Sequence, residues 1–386
     1  MDFPISIVGI SSISPLGANR EEVLQSYRRS QPKITSKTIN NSEVAVAELS
    51  KESKAIIENL KVSNQKYKSL DDTVLFSIYA SRNATAEANW AKKNNFGINI
   101  GSSRGATQLF EKFHREFIRD KKLSALASPT TTLGNISSWV AQDLLSDGPA
   151  ISHSITCSTS LHAMLNAIAW IKSGLCDSFL VGGSEAPLTD FTIAQMQALK
   201  IYSRNQSEYP CQPLNFDKEE NTMILGEAAG SACLQKGILK NRLAIIEGFG
   251  FGNEPLTHNV SVSPDAICFQ KSITMALTTI HPEEIDIIIT HTPGTIKGDL
   301  SELNAIETVF KNKMPALTCN KWQIGHTLGA SGILSVEMAI LMLQNQEYFE
   351  VPYLPTKEPE KIKRIMINSV GFGGNAVSIV LKHPSC

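Results

Sequence analysis

What most constrains this chain is a repeated alternation. Short apolar runs of strand-forming residues, each stopped by glycine or another turn residue, are separated by stretches with helical periodicity. Ile5–Ile10 predicts a first strand, ended by the turn-prone Ser-Pro-Leu-Gly at 14–17. Phe96–Ile100 predicts a second that closes on Gly101, and Ser178–Val181 a third that closes on Gly182-Gly183. A further set starts near residue 240: Leu243–Glu247, Ile285–Thr290, and the pair Arg364–Asn368 and Ala376–Leu381 across a glycine turn. Strands alternating with helices predict an α/β architecture. The openings Ile-Val-Gly at 7–9 and Ile-Ile-Glu-Gly at 245–248 are similar, which hints at a duplication. With no long linker and no low-complexity segment, the expected organisation is two strand–helix halves, 1–240 and 241–386.

Composition narrows the class. The chain has 386 residues, which at about 150 per domain suggests two or three units. Charged residues make up 19%, below the roughly 25% of an ordinary domain, as expected for a large core or a face hidden against another subunit. The 36 Lys+Arg against 37 Asp+Glu leave a net charge of -1. No global field attracts nucleic acid, although a local basic patch for an acidic protein stays open. Met1 to Gly17 carries Asp2 and no Lys or Arg, unlike a secretory signal. No uninterrupted apolar stretch approaches the roughly 20 residues that cross a bilayer. The seven cysteines (157, 176, 211, 233, 268, 319, 386) are odd in number, irregular, and include no Cys-x-x-Cys. That is neither a disulfide framework nor a zinc site of standard spacing. A cytoplasmic, reduced, soluble protein is expected.

Four segments could carry chemistry. Ala150–Thr156 reads as a strand with Cys157 directly after it, followed by an apolar helical face of Leu161, Met164, Leu165, Ile168 and Ile171. Cys157 is thus expected in the first turn of a largely buried helix. The unpaired N–H groups and positive dipole end there favour an anion and lower a thiol's pKa. The plain alternative is a small buried apolar cysteine, to which the other six are assigned. Ile285–Thr290 is nearly continuous isoleucine, like a strand buried on both faces, and His291 emerges at its end. That is where α/β folds place ligands; a satisfied core histidine is the alternative. Asp299 and Glu302 form an Asp-x-x-Glu box, for which helix capping is the default.

Lys321-Trp-Gln-Ile-Gly-His326 is the third segment, a Lys and a His in glycine-rich sequence ahead of an apolar helix from Ile333 to Leu343. A solvated lysine is the bland account of Lys321. The fourth, Val370-Gly-Phe372-Gly-Gly, lies between two strands. It reads as a tight hairpin turn or as exposed backbone N–H groups beside a site. Two further patterns compete. Gly248-Phe-Gly250-Phe-Gly252 follows a strand, but no helix with a later ribose-binding acid follows it. Gly101-Ser-Ser103-Arg-Gly105 matches a nucleophile elbow, making Ser103 a competing hydrolase nucleophile.

Several motifs then fall into one order: Val8-Gly-Ile-Ser-Ser-Ile-Ser-Pro-Leu-Gly17, Thr156-Cys-Ser-Thr-Ser-Leu-His162, Gly182-Gly-Ser-Glu-Ala-Pro187 and Leu225-Gly-Glu-Ala-Ala-Gly230. His291-Thr-Pro-Gly-Thr295, Lys321 with Gly325-His326, and Gly371-Phe-Gly-Gly-Asn375 complete the series. Along nearly its whole length the chain resembles a β-ketoacyl-acyl-carrier-protein synthase of the elongating, Cys-His-His type. The resemblance implies a thiolase-like fold of two pseudo-duplicated halves in five layers, αβαβα, assembled as a homodimer or as a heterodimer with a related chain. Residues 1–240 would carry the nucleophilic Cys157. Residues 241–386 would carry His291, His326, Lys321 and the Gly-Phe-Gly-Gly turn. Cys157 would take an acyl group from the phosphopantetheine arm of an acyl carrier protein, and the two histidines would support decarboxylation of malonyl-carrier protein. Lys321 and Glu302 would hold the histidine pair. Backbone N–H groups of Cys157 and Phe372 would form the oxyanion hole, with Phe372 also gating the pocket, and Thr295, Gly371 and Gly373 would meet substrate. Lys66 and Lys68, with Arg204, would dock the acidic carrier protein. Such a mechanism needs no metal and no bound redox cofactor.

The sequence departs from the family pattern in places. The usual His-Gly-Thr-Gly-Thr is here His291-Thr-Pro293-Gly-Thr295, so a hydroxyl expected at 293 is absent while Thr295 remains. The usual Arg-Asp-Gly-Phe is replaced by Glu220-Asn-Thr-Met223, and the aromatic two before Phe372 is Val370. These changes point to a specialised pathway with a polyene or polyketide-like product. A non-catalytic chain-length partner of the same fold is the alternative, although such partners characteristically lose the cysteine.

Overall fold

The computed structural model describes residues 3–39, 42–133, 135–255 and 262–385. Its strands are β1 (Ile5–Ile13), β2 (Thr35–Ile39), β3 (Ser42–Val46), β4 (Gly97–Gly101), β5 (Ala150–Ile151) and β6 (Ser178–Glu185). They continue with β7 (Ala228–Lys236), β8 (Ala244–Asn253), β9 (Ile287–Ile289), β10 (Ala316–Thr318), β11 (Arg364–Gly371) and β12 (Asn375–Lys382). Ten of them join in the order β10-β9-β11-β12-β8-β1-β7-β6-β4-β5, and β2-β3 form a separate ribbon. Each side of this order repeats one pattern. β4 is parallel to β5 and β6, and β9 is parallel to β10 and β11; then β6-β7-β1 and β11-β12-β8 are antiparallel. The two opening strands meet antiparallel at the centre, Ile5–Ile7 against Ala244–Ile246. The strands that open the two halves therefore pair with each other, although the similar stretches 7–9 and 245–248 are not in register across that pair.

Side-chain alternation builds the layers. Ile287 and Ile289 point to one core and Ile288 to another; Ile365 and Ile367 alternate with Met366 in the same way. Two helices, Thr159–Lys172 and Ser331–Asn345, fill the middle layer against the inner faces of both halves. The helices Asp72–Glu87 and Asn135–Leu144 cover the outer face of the first half. Ile267–Ala276 and Ile296–Val309 cover the outer face of the second. The result is αβαβα. Residues Ser331 to Leu343 are buried all round, which a central helix requires. The span Leu328–Asn345 is long and apolar enough to cross a membrane, but it is 89% buried between the halves.

Several strands differ from expectation. β6 runs four residues further because Gly182 and Gly183 sit inside the ladder opposite Ser231 and Gly230, and β1 runs three further because Ser11 to Ile13 stay paired with Ser231 to Ala229. The strand expected over Ala150–Thr156 is two residues long, since the chain must bend ahead of Cys157. The glycine run 248–252 belongs to β8. A Cβ at Gly248, Gly250 or Gly252 would fall on the Ala276, Ser272 or Cys268 carbonyl oxygen of the covering helix. Close helix-on-strand contact explains these glycines, not a dinucleotide.

Candidate active site

The local fold of the Cys157 segment is a strained bend. Thr156, a β-branched residue, adopts φ 47°, and the short hydrogen bonds of Thr159 hold it there: Oγ1 donates to Thr156 O at 2.6 Å and accepts from Ile155 N at 2.9 Å. Ser158 is the N-cap of Thr159–Lys172, so Cys157 lies just outside the helix rather than in its first turn. Gly371 approaches so closely that a Cβ there would strike Thr156 Oγ1. The Cys157 carbonyl accepts from Ser369 Oγ at 3.2 Å. These contacts bind the nucleophile segment of one half to β11 of the other.

Titration differs from the sequence expectation. Burial pushes the Cys157 thiol up to about 12, with the Glu185 carboxylate adding to that effect and Lys321 and Arg104 opposing it. The dipole end does not produce a low-pKa thiolate, because the sulfur sits in an apolar cluster with Leu188, Ile193, Met196, Met223 and Leu328.

His291 follows β9, with its Nδ1 at 3.5 Å from Ser369 Oγ. His326 is fixed through its backbone, its N–H donating to Ile224 O at 2.6 Å and its carbonyl accepting from Gly226 N at 3.1 Å. Its Nδ1 is buried without a hydrogen bond among the described residues. The two rings are edge-to-face, 5.3 Å between centroids at 83°. Burial holds both pKa values well below the ordinary histidine value, and the charge of Lys321 adds to the effect. Both imidazoles are therefore neutral near pH 7.

Glu302 does not cap a helix. Thr295 caps Ile296–Val309, accepting from Gly298 N at 3.3 Å. The Glu302 carboxylate instead accepts from His291 N at 3.0 Å, Thr292 N at 2.8 Å and Asn368 Nδ2 at 3.1 Å, which fixes the turn carrying His291. Burial pushes it up to about 7 against those donors. Asp299 accepts from Gly294 N at 3.1 Å and Lys218 Nζ at 2.8 Å, securing the far side of the same turn. Lys321 is buried, not solvated, with Nζ 4.0 Å from Cys319 Sγ. It is not among the residues that line the cleft, and its charge acts on both histidines.

A cleft of about 470 Å³ brings the predicted residues together: Cys157, His291, His326, Thr295, Gly371 and Phe372 all line it, with Met196, Met223, Leu328 and Val370. Phe372 is 39% exposed at its rim. Gly373 is not among the lining residues; it occupies φ 105° in the β11–β12 turn, where a side chain would be strained. Ser103 lacks the setting of a hydrolase nucleophile. Its N–H donates to Glu185, and the nearby His153 ring is engaged at both nitrogens, by Asn99 Oδ1 at 2.9 Å and Thr159 O at 3.1 Å. Lys68 lines a separate groove with Lys61, Lys112 and Arg115; Lys66 is exposed beside it, while Arg204 is exposed on another segment. Cys211, Cys233, Cys268 and Cys319 are buried and Cys176 half-buried, while Cys386 lies outside the described residues. Ser369, Asn368 and Glu185 were missed from sequence. The signal for the first two was present: adjacent polar residues interrupting the apolar strand Arg364–Gly371.

Comparison with known proteins places this arrangement. The Beta-ketoacyl synthase N-terminal domain matches residues 2–237, and the corresponding C-terminal domain matches 243–352. The chain belongs to the β-ketoacyl synthase family. It is 24% identical over 407 aligned positions to 3-oxoacyl-[acyl-carrier-protein] synthase 2 of Staphylococcus aureus (strain COL), covering 98% of each chain. It is 28% identical over 416 positions to 3-oxoacyl-[acyl-carrier-protein] synthase 1 of Buchnera aphidicola, again covering 98% of each. Among solved structures, the ishigamide ketosynthase/chain length factor superposes with a TM-score of 0.86 at 19% identity, over 99% of both chains. A beta-ketoacyl synthase from Burkholderia phymatum STM815 gives 0.84 at 19%, over 99% of this chain and 100% of that one. The fold is the thiolase-like α/β fold of the ketosynthases.

Proposed function

We propose that the chain is an active condensing enzyme that joins an acyl group held on Cys157 to malonyl-acyl carrier protein, releasing CO2. The observation that carries this is a single cleft shared by a cysteine and two neutral histidines. In the first half-reaction Cys157 Sγ forms a thioester with the acyl carbon. The carrier's phosphopantetheine thiol leaves with the proton that Cys157 gives up. In the second, malonyl-carrier protein loses CO2, and negative charge develops on its thioester oxygen. Neutral imidazoles can donate to that oxygen without first losing a proton themselves. The resulting carbanion attacks the acyl carbon, the backbone N–H groups of Cys157 and Phe372 hold the tetrahedral oxygen, and its collapse breaks the C–S bond to release the Cys157 thiolate, which takes a proton from water. The halves 1–240 and 241–386 divide this labour between nucleophile and histidines.

Intact-mass measurement with acyl- and malonyl-carrier protein tests the reading. Wild type should show an adduct on Cys157, and Cys157→Ser should show no transfer. His291→Ala and His326→Ala should still be acylated but lose about 10²–10³ in decarboxylation, as when an oxyanion donor is removed. Equal loss of both half-reactions in a folded variant contradicts the division.

A chain-length partner is the second reading, supported by the likeness to the ishigamide ketosynthase/chain length factor. The helix Thr107–Asp120 buries none of its own residues and exposes Phe110, Phe117 and Ile118, a face that a second copy or a related chain would cover under either reading. Absence of a Cys157 adduct with every carrier substrate selects this reading, and turnover that survives Cys157→Ser selects Ser103 hydrolysis. A polyene or polyketide-like product remains the proposed pathway. Docking of an acidic carrier at Lys66 and Lys68, with Arg204, is expected to raise KM on charge reversal for carrier substrates only.

A further inference from the structure

The loop Gly101-Ser-Ser103-Arg-Gly105 and the segment Gly182-Gly-Ser-Glu-Ala-Pro187 have no part in the condensation above, yet they meet at one carboxylate. Glu185 ends β6 fully buried, and its Oε1 accepts from two backbone donors, Ser103 N–H and, at 3.2 Å, Gly329 N–H. The first donor belongs to the 101–105 loop; the second follows His326 by three residues in the other half. The junction is close. A Cβ on Gly329 would fall 2.7 Å from Glu185 Oε1 and 2.8 Å from Ser103 N, and one on Gly183 would fall 2.5 Å from Gly329 O. Between His326 and Gly329 the chain passes through Leu328, which holds φ 44° and lines the cleft. A leucine persists in the left-handed region only where its surroundings hold it there. The oxygen that Glu185 shares between Ser103 and Gly329 is such a hold.

The second oxygen, Oε2, is buried with no hydrogen bond among the described residues. A buried carboxylate satisfied so unevenly keeps much of its field. That field reaches the nucleophile, where it adds to burial in opposing ionisation of the Cys157 thiol. Arg104, whose Nη1 donates to Gln195 Oε1 at 2.8 Å, acts on both groups in the opposite sense, and Lys321 opposes it at the thiol. The Thr327–Ala330 turn, Ser160 and the ladder partner Ala228 bring no charge to the carboxylate. We propose that Glu185 is a positioning residue with two separable actions: its reach seats the turn that follows His326 against the Ser103 loop, and its negative charge holds the proton on Cys157. The first action rests on the condensing-enzyme reading above; the second does not.

Two variants of the full chain separate the actions. Glu185→Gln keeps an oxygen at the same reach and removes the charge, whereas Glu185→Asp keeps the charge and withdraws the oxygen by one methylene. Labelling of Cys157 by methyl methanethiosulfonate, followed by peptide mass, reads the thiolate without any acyl transfer. At pH 8 Glu185→Gln should label about tenfold faster than wild type, the order expected when one nearby charge is removed from a buried site. Burial raises the Glu185 carboxyl to about 7, so the wild-type charge fades on acidification and the advantage should shrink to within about twofold at pH 6. Glu185→Asp should label within about threefold of wild type but lose about 10–30-fold in decarboxylation of malonyl-carrier protein, read as CO2 release in a single turnover. Glu185→Gln should lose about threefold there, because a neutral oxygen accepts more weakly. Equal labelling of Glu185→Gln and wild type at pH 8, or an advantage undiminished at pH 6, overturns the action of the charge. Decarboxylation by Glu185→Asp at the wild-type rate overturns the positioning. Circular dichroism checks that both variants are folded, and the near-isosteric Glu185→Gln decides the charge by itself. The expected labelling contrast in a protein that releases no CO2 supports the charge and removes the condensing reading instead.

Discussion

At Cys157 two influences oppose each other: apolar burial and Glu185 hold the proton on sulfur, while Lys321 and Arg104 pull it off. With the thiol near 12, the thiolate fraction rises about tenfold for each pH unit throughout the accessible range. Alkylation by iodoacetamide should therefore climb steadily from pH 7 to pH 10, where a free cysteine would level off near pH 8.5. A plateau in that region would show that the positive groups win. Ser369 offers a second test, because its hydroxyl spans the Cys157 carbonyl and His291 Nδ1. Ser369→Ala should slow decarboxylation by about 3–10-fold, the worth of one hydrogen bond, in single-turnover assays of CO2 release. That Cys157, His291 and His326 share one cleft was legible in sequence from the motifs around them; Lys321 was singled out by the same reading but is not among the lining residues. The titration states were not, since they depend on which residues from distant segments close over the sulfur and the rings.

At the level of elements, legibility followed side-chain size. Ile285–Thr290 and Arg364–Asn368 announced themselves through isoleucine, and β9 and β11 lie there. β7 opens with Ala228-Ala-Gly-Ser231, small residues selected because Ile333 of the central helix packs directly on Gly230, and it carried no strand signal. β8 shows the same physics with a measurable consequence. Gly250→Ala would press a methyl group onto the Ser272 carbonyl, so the helix Ile267–Ala276 must shift outward. The variant should lose roughly 1–3 kcal/mol, seen as a lower urea midpoint with an unchanged slope. Wild-type stability in that variant would mean the helix is looser than its contacts imply. The Asp299–Glu302 pair misled for a related reason: an acid near a helix start reads as a cap, yet here Thr295 caps and both acids face the His291 turn.

For the molecule as a whole, buried carboxylates set how stability depends on pH. Glu337 lies in the central helix, accepts from Ser12 Oγ at 2.5 Å, and is pushed up to about 7 by burial. Its folded value exceeds its unfolded one, so the native state holds the extra proton. The contribution is complete below about pH 4.5 and is lost as pH rises through 7. Glu337→Gln, which keeps an acceptor for Ser12, should match wild type in unfolding free energy near pH 4 and exceed it at pH 8. The gap should be on the order of 2–3 kcal/mol. Identical pH profiles for the two proteins would place the carboxylate in a more polar setting than its contacts indicate. The division of the cleft between two halves of one chain has a genetic corollary. Cys157 arrives from before the Thr159–Lys172 helix, and His291 and His326 from the other half, yet all three belong to the same polypeptide. Two alleles, one carrying Cys157→Ala and the other His326→Ala, should therefore fail to complement when expressed together, since every assembled cleft inherits one lesion or the other. Restored condensation in such a strain would reveal that subunits lend active-site residues across their interface.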